Sequence, residues 1–83
     1  AISFSDDPHG TVPAVNRLLS YFRHCECQHL HLKPSDVGHD SVGHFAFFHE
    51  RFRDTLWPLA LHWLRHGRIP PGLSSALISL PLI

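Results

Sequence analysis

Apolar and polar positions recur along this chain with two different periods, and each change of period marks an element. Residues 1–5 (AISFS) alternate loosely and break off at Asp6-Asp7-Pro8-His9-Gly10, a turn-forming cluster, which predicts a short buried strand followed by a loop. Val15, Leu18, Leu19 and Phe22 then recur at helical spacing, predicting a helix over 13–23 with Thr11 as a cap and Pro13 in its first turn. Residues 24–32 return to a period near two and stop before Lys33-Pro34, a second strand. Strand, helix and strand in so short a stretch make a βαβ unit with two parallel strands. Residues 33–44 (KPSDVGHDSVGH) carry the Gly, Ser, Asp and Pro content of a loop.

From His49 to His66 the period is helical again, with Phe52, Leu56, Leu59, Ala60, Trp63 and Leu64 on one face. Pro58 lacks an N–H and restrains Trp57, so a short turn near 50–55 should precede a helix that starts at Pro58. Gly67 suits the end of that helix, and Pro70-Pro71 stops it. Residues 72–83 are apolar and uncharged, and shorter than the roughly 20 residues a membrane-spanning helix needs. The expected class is α/β, a βαβ unit plus a C-terminal helix. Its two parallel strands belong at one edge of a larger sheet, because alone they leave a free edge and an uncovered face. Association with a second copy or with the remainder of a domain is therefore expected.

Composition narrows the function classes. At 83 residues the chain is one small domain at most, hiding only about 60% of its unfolded surface. Seven basic against seven acidic residues give no electrostatic case for nucleic acid or an anionic membrane. Nine histidines make the charge climb below about pH 6.5. Cys25 and Cys27, one residue apart, rarely have disulfide geometry at that spacing. With no disulfide framework and no signal peptide, a reducing, cytoplasmic compartment is expected. The chain holds no methionine and begins on a strand, as though cut from something longer.

The chemistry gathers at two places. A strand ends in Asp6-Asp7-Pro8, and one βα unit later His44 stands between Gly43 and the aromatic run Phe45-Ala46-Phe47-Phe48. Acid at a strand end, then histidine on a later loop, is the back half of a catalytic triad, in which the carboxylate orients the imidazole and stabilises its protonated form. Asp7 is the first choice of acid because it directly precedes Pro8 at the turn, and Asp6 is the second. The competing reading makes Asp7 a turn former and His44 a packing loop residue.

A nucleophile is missing. No G-x-S-x-G occurs; Gly38-His39-Asp40-Ser41-Val42-Gly43 is one residue too long and follows the acid, so Ser41 is set aside. Cys25, Cys27, His29 and His31 are ligand types for zinc or copper and share one side of a strand. Neighbours there stand about 6.6 Å apart, too spread for one ion. No metal or other cofactor is expected. Phe45, Phe47, Phe48, Trp57 and Trp63 read as helix-on-sheet core before they read as an acyl pocket. Arg51, Arg53 and Asp54 read as a solvated face.

Gly43-His44-Phe45-Ala46-Phe47-Phe48, Leu56-Trp57 and Trp63-Leu64, with Ser3 to Pro8 and Ala14-Val15 upstream, resemble the C-terminal portion of α/β-hydrolases. More narrowly, they resemble a bacterial group of predicted α/β-hydrolases whose last strand-loop region carries a GHxxFF-type motif followed by LW and WL. The resemblance covers residues 1–67 and leaves 68–83 as a tail of unassigned structure. It implies a serine-type hydrolase of esters or similar acyl compounds, with Asp7 (or Asp6) as triad acid and His44 as general base. The nucleophile and the oxyanion donors would belong to earlier segments. A chain of these residues alone should then have no esterase activity. Two other classes compete: a small Cys/His metal-binding module, and a non-catalytic interaction domain.

Overall fold

The computed structural model describes residues 1–80, so the last three positions of the apolar tail lie outside the described residues. Strand β1 (Ile2–Phe4) leads into helix α1 (Val12–Leu19) and returns as strand β2 (His29–Leu32). Short 3₁₀ turns follow at Pro34–Val37, Ala46–Phe48 and Glu50–Phe52, then helix α2 (Trp57–His66), a 3₁₀ segment (Pro71–Ala76) and strand β3 (Leu77–Ile78). β1 and β2 are parallel, Ile2 beside Leu30 and Phe4 beside Leu32, as the βαβ pattern predicts.

The sheet is not only parallel. β3 pairs antiparallel with β2, Leu77 beside Leu30 and Ile78 beside His29, giving a mixed sheet of order β1-β2-β3. The expectation of two parallel strands with an unassigned tail is corrected here: part of the tail covers the second edge of β2. Its apolar, charge-free residues suit an edge that needs main-chain partners. β1 keeps an open edge among the described residues. Ala1 C=O accepts from Leu30 N–H, and Ser5 N–H donates to Leu32 C=O. Odd residues therefore turn towards β2, and Ile2 and Phe4 turn their main-chain groups outward.

Two elements are shorter than their periodicity suggests. α1 stops at Leu19, where Ser20 Oγ donates to Arg17 C=O and the next N–H groups bond three residues back rather than four. β2 begins only at His29, and among the described residues no strand lies beside residues 24–28. α2 matches expectation closely: Pro58 sits in its first turn and Gly67 ends it with φ 66°, its N–H bonding Trp63 C=O at 2.7 Å.

Alternation gives β1 and β2 two unlike faces. Phe4, Leu30 and Leu32 pack with Val42, Ala46, Phe52 and Leu56 to form the core. Burying each of the larger ones contributes about 1.5–3 kcal/mol. On the other face Ser3, His29 and His31 stand together, and α1 covers them through Asn16. Neither helix buries any of its residues fully. Their apolar sides instead border a cleft of about 760 Å³ along the open edge of β1, where Val15, Leu19, Leu59 and Trp63 line it together with Ile2 and Phe4. No helix among the described residues is long and apolar enough to cross a membrane.

The aromatic run is only partly core. Phe47 and Trp57 pack against it, and Trp57 Nε1 donates to Phe47 C=O at 2.8 Å. Phe45 and Phe48 are 82% and 81% exposed, and Trp63 lines the cleft, so the core reading of all five aromatics is corrected. Phe45 stands just ahead of the buried Ala46 and Phe48 between it and the buried Phe52, and the tight turns there leave both rings facing outward.

Candidate active site

The parallel pairing carries the ends of β1 and β2 to the same side of the sheet, and the loops leaving them meet there. After Phe4 the chain turns sharply, Asp7 N–H bonding Phe4 C=O at 3.1 Å. Asp7 Oδ1 accepts the N–H of His9 at 2.8 Å, the self-closing turn expected of an Asp ahead of Pro. That bond fixes the carboxylate and leaves Oδ2 pointing at the second loop.

The second loop is tied at three points. Asp36 accepts the N–H of Lys33 at 2.8 Å, closing the turn after β2. His39, which showed no sequence pattern, packs edge-on to Phe52 at 4.6 Å and bonds Thr55 Oγ1 at 2.7 Å. Val42 is buried in the core. Gly43 then takes φ 75°, a left-handed conformation that side-chain-bearing residues adopt only at a cost.

His44 Nδ1 lies 2.7 Å from Asp7 Oδ2, across 37 residues of sequence. A carboxylate accepts only, so Nδ1 carries the proton and donates, and Nε2 keeps its lone pair in the neutral ring. Asp7's side chain is 8% exposed and His44's 39%. Burial pushes the Asp7 carboxyl up, but the hydrogen bond from His44, the N–H groups of Gly10 and His9 and the attraction of His44 outweigh it, lowering it to about 2. Gly10 is built into this arrangement, since a Cβ there would stand 2.5 Å from Asp7 Oδ2. His9 and Phe45 flank the imidazole edge-on at 5.3 and 4.6 Å. The cleft along β1 reaches Asp7 and His44 at one end.

Asp6, the second choice of acid, does something else. Its carboxylate accepts the N–H of Val42 at 2.8 Å and of Gly43 at 3.0 Å. Ser41 is exposed and forms no hydrogen bond with His44 among the described residues.

A second constellation carries no sequence motif. Ser3 Oγ lies 2.6 Å from His29 Nε2, and His29 Nδ1 lies 2.8 Å from Asn16 Oδ1. Ser3 Oγ also meets His31 Nδ1 at 2.7 Å. The amide oxygen accepts only, so His29 donates from Nδ1, Ser3 donates to Nε2, and His31 donates to Ser3. The order serine, imidazole, amide matches a nucleophilic triad on paper. Ser3, however, is 4% exposed and turns its own main-chain groups to β2, so no oxyanion could be received there. This is a buried polar network that fastens α1 to the sheet, and burial lowers the His29 pKa, with the charges of His31 and the amino terminus adding to it. The legible signal was the alternation that puts Ser3 beside two histidines.

The four-ligand strand does not form. Only His29 and His31 belong to β2; Cys25 is exposed in the preceding turn, and Cys27 Sγ rests 3.8 Å from Phe22 C=O. Among the described residues no group of three or more His, Cys, Asp and Glu is arranged to hold a metal ion. The thiols also stand at the opposite end of the sheet from Asp7 and His44, since they precede β2 whereas the acid follows β1. The chain matches no known protein family, no curated protein and no solved structure.

Proposed function

We propose that this chain supplies the acid and base of a serine-type hydrolytic centre acting on esters or similar acyl compounds, as the C-terminal portion of an α/β-hydrolase domain. His44 serves as general base through Nε2, and Asp7 holds the ring in the tautomer that exposes that lone pair. The observation that carries this reading is the 2.7 Å contact between two side chains that the chain order acid-then-histidine singled out. Lowering the Asp7 carboxyl to about 2 keeps it ionised wherever the imidazole is neutral, as an orienting acid requires. The nucleophile comes from a polypeptide that completes the sheet beside β1, where outward main-chain groups and two apolar helix sides border the cleft. The unpaired thiols of Cys25 and Cys27 fit a cytoplasmic setting.

The test is turnover of a p-nitrophenyl ester by the chain alone and by the chain expressed with the coding sequence that precedes it. The isolated chain should stay at the buffer rate, and the longer product should lose activity on His44→Ala. Activity of the longer product indifferent to His44 and Asp7, or His44-dependent turnover by the chain alone, overturns the reading.

A second reading, a non-catalytic interaction domain, is favoured by one observation: both helices leave their apolar sides only half-buried around an open strand edge. It predicts partner binding unchanged by His44→Ala.

A further inference from the structure

We propose that Asp6 is the positioning residue of this site: its carboxylate grips the main chain at Val42 and Gly43 and thereby sets where His44 meets Asp7. The inference deepens the hydrolytic reading but is tested without turnover.

Neighbouring carboxylates on one turn repel, and their persistence side by side needs a separate donor for each. Here the donors are of different kinds. Asp7 takes the imidazole, whereas Asp6 takes two successive N–H groups, Val42 at 2.8 Å and Gly43 at 3.0 and 3.1 Å from its two oxygens. Successive N–H groups converge on one anion in a turn that contains a left-handed residue, forming a small anion nest. Gly43, with φ 75°, supplies that left-handed residue. The held residues lie immediately before His44, so the imidazole inherits its position from the clamp. Without it, the segment from Gly38 to Phe45 keeps the His39 bond, the buried Val42 side chain and the His44–Asp7 contact, but no hydrogen bond on the main chain directly ahead of His44 among the described residues. Asp6 touches no reacting atom. It acts through His44.

Titrating the Asp7 carboxyl by ¹³C NMR in the full chain decides the matter, because the two roles open to Asp6 predict opposite signs. If Asp6 is merely a nearby negative charge, removing it must lower the Asp7 pKa further. If Asp6 holds the loop, Asp6→Ala loosens His44, and the Asp7 pKa rises from about 2 towards the ordinary carboxyl range. Asp6→Asn, neutral but keeping one acceptor oxygen for the nest, should give a smaller rise in the same direction. The Leu30 and Leu32 amide shifts report whether the sheet survives; should Asp6→Ala unfold, Asp6→Asn carries the decision. An Asp7 pKa that is unchanged or lowered in the folded variant overturns the proposal. Loss of the ester-hydrolysis reading leaves these titrations untouched, so the two failures are distinguishable.

Discussion

Gly10→Ala sets a methyl group against the acid of the proposed site. Its Cβ would lie 2.5 Å from Asp7 Oδ2, 3.3 Å from Asp7 Cγ and 3.9 Å from His44 Nδ1. Relief needs the carboxylate to retreat by about 1 Å, and Oδ2 is the atom that receives the imidazole at 2.7 Å. A hydrogen bond to a charged group contributes about 1.5–3 kcal/mol; with the histidine side chain 39% exposed, solvent screening puts this one at the low end. Gly10 does not have a positive φ, so alanine also restricts the unfolded chain and returns about 0.4–1 kcal/mol. The net expectation is a loss of about 1 kcal/mol, read as a urea midpoint lower by about 1 M for a chain this small. The Asp7 carboxyl should rise from about 2 in the same variant. Gly72→Ala, where an added Cβ meets nothing within 4 Å, is the control and should not lower the midpoint. An unshifted Asp7 titration in Gly10→Ala would refute the claim that Gly10 makes room for the pair.

Further expectations concern the loop, the buried histidine and the core. Gly43→Ala meets no steric neighbour within 4 Å, so its cost is conformational, about 1–2 kcal/mol for a left-handed alanine, visible in the urea midpoint and as faster exchange of the Val42 and Gly43 amides. His29 has a folded pKa below its unfolded value of about 6.5, so the unfolded chain binds more protons as pH falls below that value. Stability is therefore present above about pH 6.5 and declines below it, down to the folded pKa; His29→Gln should flatten that part of the urea-midpoint profile. Phe52, fully buried in the core, should cost about 3–5 kcal/mol as alanine. Against the 5–15 kcal/mol typical of a domain, that should blunt cooperative thermal unfolding measured by circular dichroism.

Local chemistry was enough to bring Asp7 and His44 together on paper. A turn of the Asp-Pro-His-Gly kind ends a strand whatever surrounds it, and a glycine before His44 announces an unusual backbone; both are properties of a few adjacent residues. The parallel pairing of β1 and β2 followed from the strand-helix-strand order, and the end of α2 from Gly67. Other features depend on what a residue meets across space. Residues 24–28 alternate as a strand should, yet they stay irregular, with no strand beside them among the described residues. β3 has no periodic signature, and the open side of β2 determines that it pairs at all. Asp6 and Asp7 are identical in type and adjacent in sequence, so their different tasks arise only where the second loop presents two amides to one and an imidazole to the other. Ser3, Asn16 and His29 come from three elements, and their contact exists only once α1 lies on the sheet. Short-range sterics and turn chemistry act through neighbouring residues and can be read along the chain; partner strands, burial and hydrogen-bond direction are settled between distant segments after they pack.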